Sequence, residues 1–404
     1  MMTIYFDRGS DMWYHQDPHH SWSWGHQRIE LPFQLTDSSS VSFVMRTYEG
    51  KAGPLIGLLT SEKTKCTLNE HPSDHIIGLH DVIQEQGGLL LVFSPEDMYT
   101  TYMSGKVYNR DMQEWIDVIT PVPDVIYNRF PNRIQEKKGA CKQAIHRFQK
   151  EKIPFFNPHF FSKRELYQLF FQHPFLKEYL PETFQYESGL TLSQMLERHG
   201  IVYIKPSEGS KGKGIYRVIQ TPEGRILVET IEKSTVYEHI SDFIHASSFN
   251  KNWLVQQAIQ SDCINGKRYD LRIIATRSKK KHQVSGIGIR QSLSQDVTTH
   301  VPNGGQIIPL SHVSDRLDLP LIENITAVCG QALEKEYGLI GEFSIDMARS
   351  FEGRYYILEV NAKPMIFDEP NIQRERLMNL SSLFYLISRF PYSSIATGQS
   401  MVNY

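Results

Sequence analysis

The sequence predicts an α/β (α+β) protein of two to three domains. Its 404 residues suffice for that number at roughly 100–200 residues per domain. Strand-like and helix-like segments alternate from residue 54 onward, which indicates a unit with parallel strands. After about residue 200, strands and hairpins predominate. The 40% hydrophobic and 22% charged residues are typical of a globular chain with a buried core.

Composition also argues against several classes of protein. The net charge of −2 gives no overall field that would attract nucleic acid or an anionic membrane. No window approaches the ~18 consecutive apolar residues of a spanning helix, and the N-terminus lacks a signal-peptide pattern. The four cysteines are scattered with no CxxC pair: Cys66, Cys141, Cys263 and Cys329. This favours reduced thiols in the cytoplasm over disulfides or a zinc site.

Residues 1–50 alternate in short segments separated by polar turns, which predicts a small β-rich N-terminal segment. Within it, residues 15–27 contain four of the 16 histidines. A metal site is one interpretation of that stretch. An aromatic-rich surface loop is the other, and it is favoured because no ligand spacing stands out.

Residues 51–150 are predicted to form an α/β unit. An apolar strand at 54–61, a helix at 74–86 and a buried strand at 88–95 make a strand–helix–strand pattern with parallel strands. A hairpin at 107–119, a strand at 121–130 and a helix at 139–150 follow.

Helical periodicity returns at 162–172, where Ser162 and Glu165 have the spacing of a capping box. Strands are then predicted at 202–206, 214–220, 225–230, 253–259, 269–277 and 283–291, before a long helix at 320–336. The lysines at 279–281 fall at a hairpin tip, so a solvated turn is favoured over a nucleic-acid patch.

The loop between the strands at 202–206 and 214–220 is rich in Gly, Ser and Lys. Gly209 and Gly214 have the spacing of a P-loop, but Ile215 follows in place of Lys. A dinucleotide fingerprint fails because Arg217 occupies the third glycine position and no helix follows.

A strand–loop–strand hairpin remains. Its glycines let backbone N–H groups approach phosphate oxygens, while Lys205, Lys211 and Lys213 supply positive charge. An ordinary flexible hairpin loop explains the same composition equally well, so the loop alone does not decide the function.

A second hairpin, at 341–364, carries acidic residues. If its turn is centred between Glu352 and Gly353, Asp346 faces Glu359 and Asn361 lies on the same face. Facing carboxylates repel unless a cation lies between them, and hard oxygen ligands suit Mg²⁺. A solvent-facing acidic edge is the alternative, which the apolar flanking residues disfavour.

The segment YDLR supplies a further candidate. Asp270 and Arg272 share one strand face, and pairing across the 278–282 turn brings Arg290 near it. An arginine held by an aspartate can bind a phosphate or an oxyanion. A surface ion pair is nearly as good an explanation.

Together these motifs resemble the ATP-grasp superfamily and, more closely, its endospore coat-associated YheC/YheD-type subgroup. The resemblance rests on PLIGLLTS, PVPDVIYNRFPNR, IPFFNPHFFSKRELYQL, VYIKPSEGSKGKGIYRV, YDLRI, NGG and LEVNAKP, between residues 54 and 364. It implies an ATP-grasp domain over 151–390 with a central glycine-loop lobe at about 185–260. The preceding α/β domain would be 51–150 and the C-terminal tail 391–404.

The resemblance also implies roles for individual residues. Asp346, Glu359 and Asn361 match the magnesium ligands, and Arg272 and Lys205 match catalytic residues. The ATP contacts it implies are Lys163, Lys205, Ser207, Glu208, Gly209, Ser210, Lys211, Gly212, Lys213, Gly214, Gln256, Gln257, Ala258, Ile259, Asp270, Arg272 and Arg290. Among these, residues 256–259 would bind adenine through their backbone.

Two positions depart from the pattern of related ligases. Ser344 stands where many carry an arginine two residues before the metal aspartate. Asn303 lies in His300-Val301-Pro302-Asn303-Gly304-Gly305, where relatives read Asn-x-His-Arg-Gly-Gly. One basic phosphate contact is therefore missing.

The function that the resemblance implies is a carboxylate–amine ligase that uses ATP and Mg²⁺ and acts through an acyl phosphate. Its partners would be ATP and small-molecule or peptide carboxylates and amines. Apart from the resemblance, Arg129 and Arg133 in the preceding domain are candidate carboxylate contacts, and ordinary surface arginines are an equally good interpretation. A non-catalytic nucleotide-binding coat or assembly protein, and an ATP-grasp kinase, are the alternatives. The expected location is cytoplasmic, with spore coat components or a second copy of the chain as further partners.

Overall fold

The computed structural model describes residues 1–35, 40–71, 73–209, 214–293 and 297–392. The first 53 residues contribute one six-stranded sheet, in the order β2-β1-β5-β6-β3-β4, which confirms the predicted β-rich segment. Its strands are β1 (Met2–Asp7), β2 (Met12–His15), β3 (Trp22–Trp24), β4 (Ile29–Leu31), β5 (Val41–Tyr48) and β6 (Lys51–Gly53). Trp13 joins this sheet to the next one by donating from Nε1 to the Ile119 carbonyl at 2.9 Å.

The second sheet has the order β10-β9-β8-β7-β11-β12. Its elements are β7 (Leu55–Leu59), α1 (Glu62–Cys66), α2 (Asp74–Glu85), β8 (Leu89–Phe93), β9 (Tyr102–Asn109), β10 (Glu114–Pro121), β11 (Val125–Asn128), α3 (Arg133–Glu136), α4 (Gly139–Lys150) and β12 (Phe155–Phe156). Strand β7 pairs in parallel with β8 and β11, as predicted, and every residue of β7 and β8 is buried. Such uniform burial is typical of parallel strands covered on both faces.

The third sheet is antiparallel, in the order β13-β18-β14-β15-β16-β17, and follows helix α5 (Lys163–Gln172). Its elements are β13 (Thr183–Gln185), α6 (Gly189–His199), β14 (Ile201–Pro206), β15 (Tyr216–Gln220), β16 (Ile226–Glu229), β17 (Ser234–Tyr237), α7 (Ile240–His245) and β18 (Trp253–Gln257). The capping box predicted for α5 is wrong: the Ser162 side chain makes no cap hydrogen bond within the described chain. The tertiary fold draws this helix end onto the glycine loop instead, where the Lys163 N–H donates to the Ser207 carbonyl at 3.2 Å.

The fourth sheet has the order β22-β21-β20-β23-β24, with β19 paired to β20. Its elements are β19 (Cys263–Ile264), β20 (Lys267–Arg277), β21 (His282–Ser292), β22 (Gly305–Ile308), α8 (Leu319–Tyr337), β23 (Glu342–Arg349), β24 (Tyr355–Asn361) and α9 (Pro370–Ser388). One face packs its apolar side chains into a core that includes residues of α8. The polar side chains of the motifs lie on the other face, which we call the site face.

Buried polar contacts join the second and fourth sheets. The fully buried Arg376 of α9 donates from Nε and Nη2 to the two carboxylate oxygens of Glu342, each at 2.7 Å. Tyr127 of β11 donates to the same carboxylate. We retain 1–50, 51–150, 151–390 and 391–404 as proposed domain boundaries. Among the described helices, none has both the length and the apolar character needed to cross a membrane.

Candidate functional site

The site face of the fourth sheet brings the predicted magnesium ligands together. Asp346 lies opposite Glu359, which confirms the predicted pairing, and Asn361 lies two residues further along β24, opposite Ser344. On the other side of β23, Arg272 of β20 lies opposite Asp346. Strand β21, next to β20, carries the remaining motif residue, Arg290. Strands β20, β21, β23 and β24 therefore contribute to one polar patch.

The turn that sets this register differs from the prediction. Arg349 pairs with Tyr355, which centres the hairpin on Glu352 rather than between Glu352 and Gly353. A β-bulge just before the two carboxylates adds Leu358 to β24 and restores the predicted alignment. A bulge shifts the pairing by one residue and so changes which side chains share a face. The carboxylates face each other because of the bulge, not because of the turn alone.

The two carboxylates have different electrostatic surroundings. Asp346 Oδ1 lies 3.1 Å from Arg290 Nη2, yet burial raises the Asp346 pKa despite that guanidinium. Glu359 Oε1 accepts from Lys163 Nζ at 2.8 Å. Burial also acts to raise the pKa of Glu359, but the charges of Lys163 and Lys205 outweigh it, so that pKa is lowered. Cations of the chain therefore already offset the negative charge at this edge.

The donor set fits magnesium better than a metal that needs a closed protein cage. Within the described residues, no cluster of three or more His, Cys, Asp or Glu side chains is placed to hold a metal ion. Asp346 and Glu359 with the amide of Asn361 give three oxygen donors, and Mg²⁺ usually completes its shell with water and phosphate oxygens. Asp346 Oδ1 is buried, and its 3.1 Å contact with Arg290 Nη2 is an ion pair without hydrogen-bond geometry. That oxygen can therefore take a metal ion as a further partner.

A buried lysine from the third sheet points at this edge. Lys205, at the end of β14, donates from Nζ to Gln256 Oε1 at 2.7 Å and reaches the Leu358 carbonyl at 3.4 Å. Gln256 in turn donates to Thr183 Oγ1 at 3.0 Å. Burial, and then the nearby charge of Lys163, lower the pKa of Lys205 to about 8. Lys205 is therefore positioned between the third sheet and β24 by a fixed amide.

The described part of the glycine loop folds back on the same lysines. The Ser207 N–H donates to the Asn252 carbonyl at 2.8 Å, and Lys163 Nζ donates to the Gly209 carbonyl at 2.8 Å. Gly214, at the far side of the loop, has φ +71°, which glycine adopts without strain. The remaining predicted loop contacts lie outside the described residues: Ser210, Lys211, Gly212 and Lys213. The same holds for residues 393–404 of the predicted tail.

Charged residues at the start and just after the end of α3 hold the start of the glycine loop. Glu208 Oε2 lies 2.9 Å from Arg133 Nη1 and 3.2 Å from Lys137 Nζ. Arg129, which follows β11, donates to the Pro364 carbonyl at 3.0 Å. The two arginines predicted as carboxylate contacts thus bind groups of the protein, because they lie where the second sheet meets the rest of the chain.

The segment predicted to bind adenine, 256–259, covers the end of β18 and the two residues after it. Its Gln257 N–H donates to the Glu182 carbonyl at 2.8 Å, and its Ala258 N–H donates to the Ile201 carbonyl at 3.2 Å. The Ile259 carbonyl accepts from the hydroxyl two residues later at 3.4 Å. These bonds fix the segment beside β14. The adenine contact itself stays a prediction.

Arginines occupy the opposite side of the site face. Arg290 donates from Nε to Asp270 Oδ1 at 3.0 Å and from Nη2 to Oδ2 at 3.3 Å, and Thr299 also donates to Oδ2. Asp270 therefore holds Arg290 rather than Arg272. Arg272 instead lies 4.8 Å from the centre of the Phe367 ring, and burial lowers its pKa.

The sheet order separates these groups into two regions. We call β23 and β24 with Lys163 and Lys205 the lysine half, and β20 to β22 with Arg272 and Arg290 the arginine half.

Sequence reasoning missed the cover over the arginine half. Phe367 and Glu369, which precede α9, line a water-sized cavity of about 10 Å³ together with Arg272 and Gly288. A Cβ atom on Gly288 would lie 2.5 Å from Glu369 Oε1. Glycine inside a strand often marks such a close approach, so the glycines of GIGIR were a signal that could have predicted this cover.

Known proteins are similar to this chain over most of its length. A profile of the YheC/D-like ATP-grasp family matches residues 152–387. The endospore coat-associated protein YheD of Bacillus subtilis (strain 168) is 27% identical over 361 residues, which are 84% of this chain and 79% of that protein. YheC of the same strain, also endospore coat-associated, is 19% identical over 311 residues, 73% of this chain and 86% of that protein.

A solved structure shares the fold. VanG D-Ala:D-Ser ligase from Enterococcus faecalis aligns with a TM-score of 0.50 at 11% identity, covering 83% of this chain and 99% of that one. At this identity the likeness is one of fold.

Proposed function

Because the chain belongs to the YheC/D-like ATP-grasp family, we propose that it is an ATP-dependent ligase that joins a carboxylate to an amine. The observation that carries this proposal is the meeting of Asp346, Glu359 and Asn361 with two lysines at one sheet edge. Oxygen donors and lysines together form a place for a triphosphate with its metal.

Mg²⁺ bound by Asp346, Glu359 and Asn361 would neutralise charge on the phosphates. Lys163 and Lys205 would bind phosphate oxygens, since both ammonium groups lie against β24, at Glu359 and at the Leu358 carbonyl. Arg272, opposite Asp346, would bind the transferring phosphoryl group as charge develops on it.

The reaction has two balanced steps. A carboxylate oxygen of the substrate attacks the γ-phosphorus, the bond to ADP breaks, and ADP leaves with that electron pair. The amine nitrogen then attacks the acyl carbon, the carbon–oxygen bond to phosphate breaks, and the nitrogen loses a proton as the amide forms. Such transfer depends mainly on positioning and charge neutralisation, which the charged groups of the site face can supply.

The test is to incubate the protein with MgATP and pooled amino acids and peptides and to measure ADP, phosphate and new amides. We expect Lys205→Ala and Asp346→Ala to abolish ADP release while each variant stays folded. ADP release that survives in both variants would contradict the proposed mechanism. A stable phosphorylated product without an amide would instead indicate a kinase.

Ser344 favours one rival function. It is 1% exposed and stands on the site face two residues before Asp346, where many related ligases carry an arginine. The chain would then bind nucleotide without turnover, in association with the spore coat as its relatives' names suggest. Tight MgATP binding with no product from any acceptor would favour this rival.

A further inference from the structure

Arg268 is a second arginine on the site face of β20. It lies two residues before Asp270 and four before Arg272, so strand alternation places all three side chains on one face. Arg268 Nε and Nη2 and Arg272 Nε are buried, and no described residue accepts a hydrogen bond from any of the three. One face of one strand therefore carries three buried donors that the described chain leaves unmatched.

Such donors are unusual because guanidinium groups stay charged. A buried N–H without an acceptor is costly, and an unmatched one in a folded protein indicates a missing water, ion or ligand. Asp270 lies between the two arginines, but both of its oxygens already accept from Arg290, and Thr299 takes a further contact. The three unmatched donors of Arg268 and Arg272 do not reach this acid, which holds Arg290 instead.

The placement of these donors indicates what kind of ligand they meet. Strand β20 lies beyond β23 from the lysine half, so Arg268 is on the side away from Lys163 and Lys205. Arg272 lies opposite Asp346, at the border between the halves. A ligand that contacts both arginines would begin at the reacting centre and extend across the arginine half.

We propose that Arg268 and Arg272 form a two-point anion site for the carboxylate substrate, which therefore carries two anionic groups. This inference rests on the proposed ligase function. The reacting carboxylate would lie at Arg272, beside Asp346, and the second anion at Arg268. Four residues of strand separate the two Cα atoms by ~13 Å, and two long side chains can converge from there on one extended diacid. Dicarboxylic acids and acidic peptides share this chemistry.

The probes are the straight-chain dicarboxylates from malonate to suberate, each compared with a monocarboxylate of equal carbon number. Their binding is measured by calorimetry in saturating MgADP. Because hydrogen bonds to charged groups are among the stronger ones, we expect at least one dicarboxylate to bind about ten-fold tighter than its matched monocarboxylate. The dipeptides Ala-Glu and Ala-Gln form a second arm that tests the peptide source.

Arg268→Gln should remove the dicarboxylate preference and leave MgADP affinity unchanged. Lys267→Gln is the matched control, since it removes one positive charge from the neighbouring residue on the opposite strand face. Arg268→Lys should retain part of the preference, and it replaces the glutamine variant if that variant does not fold.

Three results would overturn the inference: no dianion preferred by the wild-type protein, an unchanged preference in Arg268→Gln, or equal losses in Arg268→Gln and Lys267→Gln. A preference seen only for Ala-Glu would support an acidic peptide as the substrate class. Failure of the proposed function would appear separately, as absence of MgADP binding in the wild-type protein.

Discussion

The lysine half and the arginine half of the site face differ in how their cations are matched. In the lysine half, Lys163 donates to Glu359 and Lys205 donates to Gln256. In the arginine half, Arg290 is matched by Asp270, while Arg268 and Arg272 keep buried donors without a described acceptor. The lysine half is thus held in place by the chain itself. The arginine half is built for a ligand that the chain does not contain.

The largest effect is expected from a substitution that removes a buried arginine supporting the arginine half. Arg376 binds Glu342 and also donates to the Met365 and Pro364 carbonyls, at 3.2 and 3.3 Å, and the Met365 carbonyl accepts from Arg272 Nη2 at 3.4 Å as well. Arg376→Met would remove the bidentate ion pair of the buried Glu342 carboxylate, which would keep only Tyr127 and a 3.8 Å contact with Arg129 Nη1. Because removing one partner of a buried ion pair costs about 3–5 kcal/mol, we expect the unfolding free energy to fall by about 3 kcal/mol. Urea unfolding measures this loss. Arg374→Met, at an exposed position of the same helix, is the control and should change the unfolding free energy little. Equal losses in the two variants would show that the effect does not come from the buried ion pair.

A second prediction tests the metal edge of the lysine half. Asp346→Asn keeps the side-chain shape and removes the charge. Since loss of even an outer partner of a metal ligand costs about 10–100-fold in affinity, we expect the tightening of ATP binding by Mg²⁺ to fall by about 100-fold. Calorimetry with and without Mg²⁺ measures it. Glu352→Gln, at the hairpin turn with a side chain 77% exposed, should leave the effect intact.

The pH dependence of nucleotide binding tests Lys205. Burial and Lys163 lower its pKa to about 8, so Lys205 loses its charge as the pH rises through that value. The affinity for MgADP should be level below this pKa and then fall by up to about ten-fold per pH unit. Lys205→Arg keeps its charge and should give a flatter profile. A wild-type profile as flat as that of the variant would contradict the assignment.

The same pKa fixes the sign of a stability effect. The folded-state pKa lies below the unfolded value of about 10.4, so between the two the unfolded chain binds more protons. The contribution of Lys205 to stability should therefore rise with pH across that window.

The smallest effect concerns the attachment of the glycine loop to α3. Glu208→Gln removes the ion pairs to Arg133 and Lys137, which are partly exposed and individually weak. Freed from α3, the loop should approach phosphates more readily, so MgADP affinity should rise by about two- to three-fold. High salt should erase this difference. Glu178→Gln, an exposed acid elsewhere, serves as the control; a loss of affinity would show that the anchored loop is the binding form.

Much of the fold was predictable because its patterns are local. The apolar run at 54–61 predicted β7, and the periodicity at 139–150 predicted α4 within its observed bounds. The capping box at Ser162 was wrong because the glycine loop, distant in sequence, meets that helix end. Local patterns hold where neighbouring residues decide the structure, and they fail where a distant segment takes part.

The candidate site shows the same division. Alternation along β24 places Glu359 and Asn361 on one face, but the predicted pairing of Asp346 with Glu359 holds only because of the bulge at Leu358. Arg129 and Arg133 were candidates for a substrate carboxylate, and their contacts with the Pro364 carbonyl and with Glu208 could not be predicted, because the position of α3 against the loop depends on the whole fold. Arg268 was missed, since its unmatched donors become visible only when every neighbour has been placed.

The sequence by itself determined the order of strands and helices, the family, and which oxygen-bearing and basic residues occur at strand ends. Periodicity and motif spacing carry that information, because they depend on residues close together in the chain. Only the tertiary structure decided the bulge that aligns the two carboxylates, the partner chosen by each arginine, and the cover that Phe367 and Glu369 place over the arginine half. Those outcomes depend on packing between segments up to hundreds of residues apart, where burial decides which charges must be matched.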